Sequence, residues 1–290
     1  LRICVEEGLD AVTAIRMATL NAAECFDLKD RGAIAPGYRA DVVLLDDLKD
    51  FHVNRVFIQG ALVAEEGKYI PEIKRYDIST VKGSVIVKDF SAEKFKMHLK
   101  SNKVNVIKIL PGGVVTAKDT AEIQLDEKGE FVRNPEEDIV KVAVVERHQG
   151  TGNVACGFLK GYGIKAGAVA LSIAHDSHNI IVVGVSDEEM EFAVNSLIAQ
   201  EGGMVLVKEG KVIESMPMPI AGLMSDQSGE WVDEKLTAIH AKAYEELGIA
   251  GDVEPVMTLC FMSLAVIPEV KLTDMGLFDV TTFSFIPVEA

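Results

Sequence analysis

Apolar positions along this chain follow two regimes. Up to about residue 26 they recur at helical spacing, with Val12, Ile15, Met17, Ala18 and Ala22 on one stripe behind Asp10 as the helix cap. From residue 27 onward they gather into short runs punctuated by glycine, proline and Asx residues, which is the pattern of strands and hairpins. Residues 32–37 form a turn-rich link, and residues 40–45 read as a buried strand. Residues 53–58 and 61–64 read as a hairpin around Gln59-Gly60. A handful of short strands cannot close a core alone, so this segment is expected to complete a sheet begun elsewhere.

Residues 74–85 carry mixed charge without a sustained period and read as a linker. The expected division is therefore a terminal helix over 1–26, part of a small β domain over 27–73, the linker, and a second domain over 86–290. In that second domain a short helix begins at Ser91, and strands are expected at 104–110, 114–118 and 121–125. A polar turn region over 126–138 precedes a stronger strand at 139–145, and two more strands lie at 168–174 and 180–185. Ser186 caps a helix with Glu189 placed for a capping box, and Met190, Ala193, Val194, Leu197 and Ile198 form its apolar face. A hairpin around Glu209-Gly210, a helix over 230–247 stopped by Gly248, an apolar stretch at 256–267 and an irregular tail complete the chain. The expected class is α+β, with helices covering one face of a mostly antiparallel sheet.

Composition narrows the functional classes. The 290 residues are 48% hydrophobic, ample for a folded core, and carry a formal net charge of −16. Such a surface is repelled by phosphate backbones and anionic membranes, so nucleic acid and membrane are not expected partners. The longest apolar run, 256–267, is far short of the ~20 residues that a membrane-spanning helix needs. Four scattered cysteines (Cys4, Cys25, Cys156 and Cys260) form no C-x-x-C pair, which fits a reduced cytoplasmic protein. The chain opens on Leu1 inside a helical pattern, and the expectation is that further sequence precedes it.

Candidate chemistry concentrates between the strands at 168–174 and 180–185. Five polar residues stand in a row there, His175, Asp176, Ser177, His178 and Asn179, holding two of the six histidines. A turn between buried strands does not require two imidazoles, a carboxylate, a hydroxyl and an amide. His175 and His178 supply two metal ligands where a closed zinc site needs four, with Asp176 as a third at most. The same residues could instead cap backbone groups in a polar loop, or form a substrate-contacting loop in which an Asp–His pair fixes a tautomer. Glu146, Arg147 and His148 form a second polar group. The glycines that follow, Gly150, Gly152 and Gly157, have the wrong spacing for a dinucleotide fingerprint and read as a turn with close backbone approach. His52, His98 and His240 read as solvated. Met204, Met216, Met218 and Met224, around Pro217 and Pro219, line an apolar pocket or pack a core.

Two sets of residues carry a family resemblance. The runs Ala18-Thr-Leu-Asn-Ala-Ala23, Arg31-Gly-Ala-Ile-Ala-Pro-Gly37 and Ala40-Asp-Val-Val-Leu-Leu-Asp46 resemble the end of an amidohydrolase-superfamily enzyme, where the last helix of a (β/α)8 barrel runs into a small β domain. Residues 146–153, 174–183, 217–226 and 272–279 resemble the C-terminal domain of bacterial adenine deaminases. The resemblance implies hydrolysis of adenine to hypoxanthine and ammonia with a divalent metal (manganese, iron or zinc) on barrel strands absent here. It also implies contact with that barrel and a homo-oligomer. The chain alone is then expected to be inactive. The rival expectations are a non-catalytic oligomerisation module and a different amidohydrolase acting on a cyclic amide or amino-heterocycle.

Overall fold

A computed structural model describes all residues from Leu1 to Ala290, which divide into two units, Leu1–Tyr76 and Asp77–Ala290. In the first unit the helical stretch is broken. Helix α1 (Arg2–Glu6) stops near Gly8, whose φ is +97°. Helix α2 (Ala11–Arg16) restarts behind Asp10, whose carboxylate accepts the Thr13 N–H at 2.9 Å. A single wide turn over Met17–Asn21 joins it to α3 (Ala22–Cys25). Strands β1 (Val42–Leu45), β2 (Val53–Ile58), β3 (Ala61–Glu65) and β4 (Lys68–Tyr69) form an antiparallel meander. The β2–β3 turn falls on Gln59-Gly60, where both residues have positive φ, as a tight hairpin turn requires.

Strand β1 is not buried as expected, since Val43 and Leu44 are 51% and 42% exposed. Only Ala14 and Ala23 count as buried apolar residues in this unit. Its meander has no second layer within the unit to close a core.

The second unit is built on an eight-stranded sheet. Its strands are β5 (Lys103–Ile109), β6 (Thr116–Glu122), β9 (Ile139–Val145), β10 (Val154–Lys160), β11 (Ala168–Leu171), β12 (Ile180–Gly184), β13 (Gly203–Lys208) and β14 (Lys211–Pro217). The order is β14-β13-β11-β12-β9-β10-β5-β6, antiparallel except where β10 meets β5. A two-stranded ribbon pairs β7 (Gln124–Leu125), the end of the strand expected at 121–125, with β8 (Phe131–Val132), which lies in the region expected to be a polar turn. The strand expected at 114–118 and the first two residues of the one expected at 121–125 are one strand, β6, because an unbroken register with β5 runs from Thr116 to Glu122.

Both faces of this sheet are covered, which corrects the expectation of one. Every residue of β9 is buried, and its side chains alternate between two cores. Helix α4 (Asp187–Ala199) packs Met190, Ala193, Val194 and Leu197 against Ala143, Val145 and Val182. On the opposite face, α5 (Gly229–Glu245) and α6 (Pro255–Cys260) pack Ile239, Ala243 and Leu259 near Val142, Val144 and Leu171. Each fully buried aliphatic side chain contributes about 1.5–3 kcal/mol, so a central strand apolar on both faces stabilises two layers at once. The tail is not irregular. Strands β15 (Val270–Thr273), β16 (Gly276–Asp279) and β17 (Ser284–Ile286) form a small sheet whose Leu272 and Leu277 lie against Gly157 of β10.

Ser186 caps α4 through the Glu189 N–H at 3.3 Å, but only half of the capping box forms. The Glu189 side chain instead accepts the N–H of Gly210 in the β13–β14 turn.

Candidate functional site

The antiparallel pairing of β9 with β12 sets Val145 opposite Ile180. The turn that leaves β9 and the loop that enters β12 therefore share one end of the sheet. The two polar groups singled out in the sequence, 146–148 and 175–179, meet there.

Glu146 is the centre of the first. Its carboxylate accepts the backbone N–H groups of His148 (2.5 Å), Gln149 (2.7 Å) and Thr151 (2.9 Å), and the Thr151 hydroxyl at 3.0 Å. Burial alone would raise its pKa, but these donors outweigh it and bring the value down to about 2. The positive φ of Gly150 and Gly152 curls the chain around the carboxylate. A cradle that would otherwise suit a phosphate is thus filled by the protein's own anion, in agreement with a turn and against a dinucleotide site.

Arg147 is 1% exposed and faces no carboxylate. Its guanidinium donates to three backbone carbonyls: His178 at 2.5 Å through Nε, Ala221 at 3.2 Å through Nη2 and Ser84 at 3.4 Å through Nη1. Burial lowers its pKa. The Arg147 backbone accepts the Ile86 N–H at 2.8 Å and donates to Asn179 Oδ1 at 3.2 Å. His148 is exposed, and its Nε2 lies 2.7 Å from the Ser177 carbonyl.

The 175–179 loop is held by its backbone. The His175 N–H reaches the Cys260 carbonyl at 2.8 Å, at the end of α6, and the His178 N–H reaches the Ala174 carbonyl at 2.6 Å. Asn179 is buried and donates through Nδ2 to Asp274 Oδ1 at 3.2 Å. The side chains of His175, Asp176, Ser177 and His178, by contrast, make no hydrogen bond or ion pair within the chain, and His178 Nδ1 is a buried nitrogen with no partner. The two imidazoles meet edge to face with centroids 5.1 Å apart, and His175 also lies 4.8 Å from the Phe261 ring. Burial, then the nearby His175, lowers the His178 pKa, so that ring is neutral at pH 7.

A loop whose polar side chains cap its own backbone is therefore not what the fold builds here. His175 and His178 have no third ligand either, because nowhere in the chain do three His, Cys, Asp or Glu side chains converge to hold a metal ion. A divalent metal of the kind the amidohydrolase resemblance implies does not fit the residues of this chain. Asp274 and Phe261 were not among the sequence candidates. Asp274 was legible only as part of the 272–279 run, and Phe261 as one apolar residue among several. Of the other histidines, His52 lies 2.5 Å from Asp46, and His240 lies 2.5 Å from Glu254. His98 lies 2.8 Å from Glu130. Met204, Met216 and Met218 are core residues, while Met224 is exposed.

Comparison with known sequences places the chain in a family. Residues 113–284 match the adenine deaminase C-terminal domain family, and residues 1–63 match the amidohydrolase family. The chain is 66% identical over its 290 residues to adenine deaminase 2 of Desulfotalea psychrophila, covering 50% of that protein. It is 50% identical over 289 residues to the adenine deaminase of Ligilactobacillus salivarius, and 46% identical over 288 residues to adenine deaminase 2 of Carboxydothermus hydrogenoformans, covering 50% of each. The chain spans about half the length of the curated relatives it matches. With one family covering most of the second unit and another the start of the first, this chain belongs to the adenine deaminase C-terminal domain family.

Proposed function

We propose that this chain is the C-terminal portion of a metal-dependent adenine deaminase, which converts adenine and water to hypoxanthine and ammonia. The reading is carried by the 66% identity to an adenine deaminase along the whole chain. In it, the metal (manganese, iron or zinc) is held by residues outside these 290, and the chain alone is inactive. The exposed apolar side chains of the first unit, among them Phe26, Ile34, Ile73 and Tyr76 at 75–90% exposure, support a surface that docks on a preceding barrel. Four unpaired cysteines support a reducing, cytoplasmic setting, and a role in adenine catabolism or salvage belongs to the same reading as the deaminase activity. A homo-oligomer belongs to the same reading.

The part assigned to this chain is substrate contact. The 175–179 loop combines a fixed backbone with the side chains of His175, Asp176, Ser177 and His178, which have no hydrogen-bond partner in the chain, and this is the arrangement a purine edge needs. His178 presents a neutral imidazole able to donate from one nitrogen and accept at the other. Asp176 and Ser177 stand exposed beside it. His175, its ring tilted against that of Phe261, sets the neighbouring wall.

The test is ammonia release from adenine by the full-length protein carrying this chain, with His175→Ala and His178→Ala compared to the parent. A fall in kcat/KM of about tenfold or more, at unchanged melting temperature, is expected from losing a polar substrate contact. An unchanged kcat/KM would remove the loop from the site. Deamination by the isolated 290-residue chain would overturn the assignment of the chemistry to residues outside it.

A further inference from the structure

The 175–179 loop has little to hold itself in place. Apart from the turn made by the His178 N–H, each of its ties reaches elsewhere in the second unit. One tie comes from a residue with no other evident task. Asp274 occupies the two-residue turn between β15 and β16, where Thr273 pairs with Gly276. Such a turn asks only for small or flexible residues, and Gly276, at φ +135°, already meets the backbone demand.

The Asp274 carboxylate leaves that turn and spans two other segments. Its Oδ1 accepts from Asn179 Nδ2 at 3.2 Å, and its Oδ2 accepts from Asn153 Nδ2 at 3.4 Å. Asn179 in turn accepts the Arg147 N–H at Oδ1. The amide of Asn179 thus has a pure acceptor on its nitrogen side and a pure donor on its oxygen side, so its orientation is fixed. From the other direction the Arg147 guanidinium grips the His178 carbonyl and the Ala221 carbonyl together.

We propose that Asp274 and Arg147 are positioning residues for the 175–179 loop, Asp274 acting through the Asn179 amide and Arg147 through the His178 carbonyl. The proposal rests on the reading of that loop as a substrate contact. It adds that the small C-terminal sheet and the 217–226 segment set where the two imidazoles stand. Asp274 is half-buried on a turn, so its removal leaves both cores intact, whereas Arg147 is fully buried.

The experiment measures kcat/KM for adenine in the full-length protein with Asp274→Ala, Asp274→Asn, His178→Ala and the double variant His178→Ala/Asp274→Ala. Asp274→Ala is expected to lower kcat/KM about tenfold at a melting temperature near that of the parent. Asp274→Asn, which keeps one acceptor, is expected to recover part of the loss. The double variant is expected to be no worse than His178→Ala, because both changes remove the same contact. Arg147→Ala is measured with and without added methylguanidine, and restoration by the added cation is expected. If that variant does not fold, the Asp274 series decides.

Losses that multiply in the double variant, or an Asp274→Ala protein with parental kcat/KM, overturn the positioning role while a damaged His178→Ala protein keeps the loop reading standing. A His178→Ala protein with parental kcat/KM removes both.

Discussion

Arg147 Nε donates to the carbonyl oxygen of His178 at 2.5 Å, and no carboxylate neutralises the guanidinium that does so. A buried cation without a counter-ion is costly, and here three carbonyl dipoles replace the water it has lost. Arginine retains its proton under such conditions more firmly than lysine would, and its planar fork reaches carbonyls of separate segments.

That packing leaves no room beside Gly222. A Cβ there would stand 2.7 Å from Arg147 Nη1, and the residue has a φ of +70°. Gly222→Ala therefore combines a backbone penalty of about 1 kcal/mol with displacement of the guanidinium. Gly210→Ala is the matched control, since Gly210 has a φ of +65° and open space around it. Gly222→Ala is expected to lose clearly more stability in denaturant titration than Gly210→Ala. Equal losses would mean that the guanidinium moves aside freely.

Glu146 gives a prediction in pH. Its carboxyl falls from an ordinary 4.5 to about 2 in the folded chain, so the unfolded chain binds the extra proton between those values. Stability from this group is complete above about pH 4.5 and is lost as pH falls through 2. In Glu146→Gln the acid side of the melting-temperature profile should be flatter over that window. The turn should also be weaker at neutral pH, because an amide cannot satisfy three N–H donors and a hydroxyl as a carboxylate does. A profile parallel to that of the parent would show that Glu146 is not the group titrating.

Much of this was legible in the chain because local chemistry decided it. Asp10, Ser186 and Gln59-Gly60 act through neighbours within three residues, so their roles follow from spacing alone. The two polar runs at 146–148 and 175–179 were visible as unusual density and as groups that could approach each other, but what brings them together was not, since it is the pairing of β12 with β9. Asp274 was hidden for the same reason: its partners lie 95 and 121 positions away. The burial of both sheet faces was hidden too. A strand apolar at every position but one, such as 139–145 with its single Lys141, is compatible with one layer or two until the helices are placed. Glu189 shows the limit of a local motif, because its side chain chose the Gly210 N–H over its own cap.

Lys271 offers a second pH test, of opposite chemistry. It is fully buried in β15, its Nζ donates to the Val114 carbonyl at 2.9 Å, and burial pulls its pKa from 10.5 down to about 8. Below pH 8 the folded chain carries a poorly solvated charge; between about 8 and 10.5 the unfolded chain holds more protons, so stability rises with pH. Lys271→Met removes this dependence. Its advantage over the parent should be greatest near neutral pH and should shrink as pH climbs through that window, by thermal unfolding at a series of pH values. A constant difference would place the Lys271 ammonium in contact with water.

The four thiols report on the site from a distance. Cys4 and Cys25 are exposed, whereas burial pushes the Cys156 and Cys260 thiols up to about 12. Only the thiolate attacks a disulfide reagent, so two thiols should react rapidly with such a reagent at pH 8 and two slowly until the chain unfolds. Cys260 is the informative one, because its carbonyl accepts the His175 N–H at 2.8 Å. Opening α6 far enough to expose the Cys260 thiol would also release that anchor of the 175–179 loop. With Cys156→Ser isolating the remaining slow thiol, its reaction rate measures how often the loop loses its first tie. Asp274→Ala should leave that rate unchanged, since Asp274 holds the other end of the loop through Asn179. A faster rate would mean that the two anchors open together, and the loop would then be one cooperative unit with the end of α6.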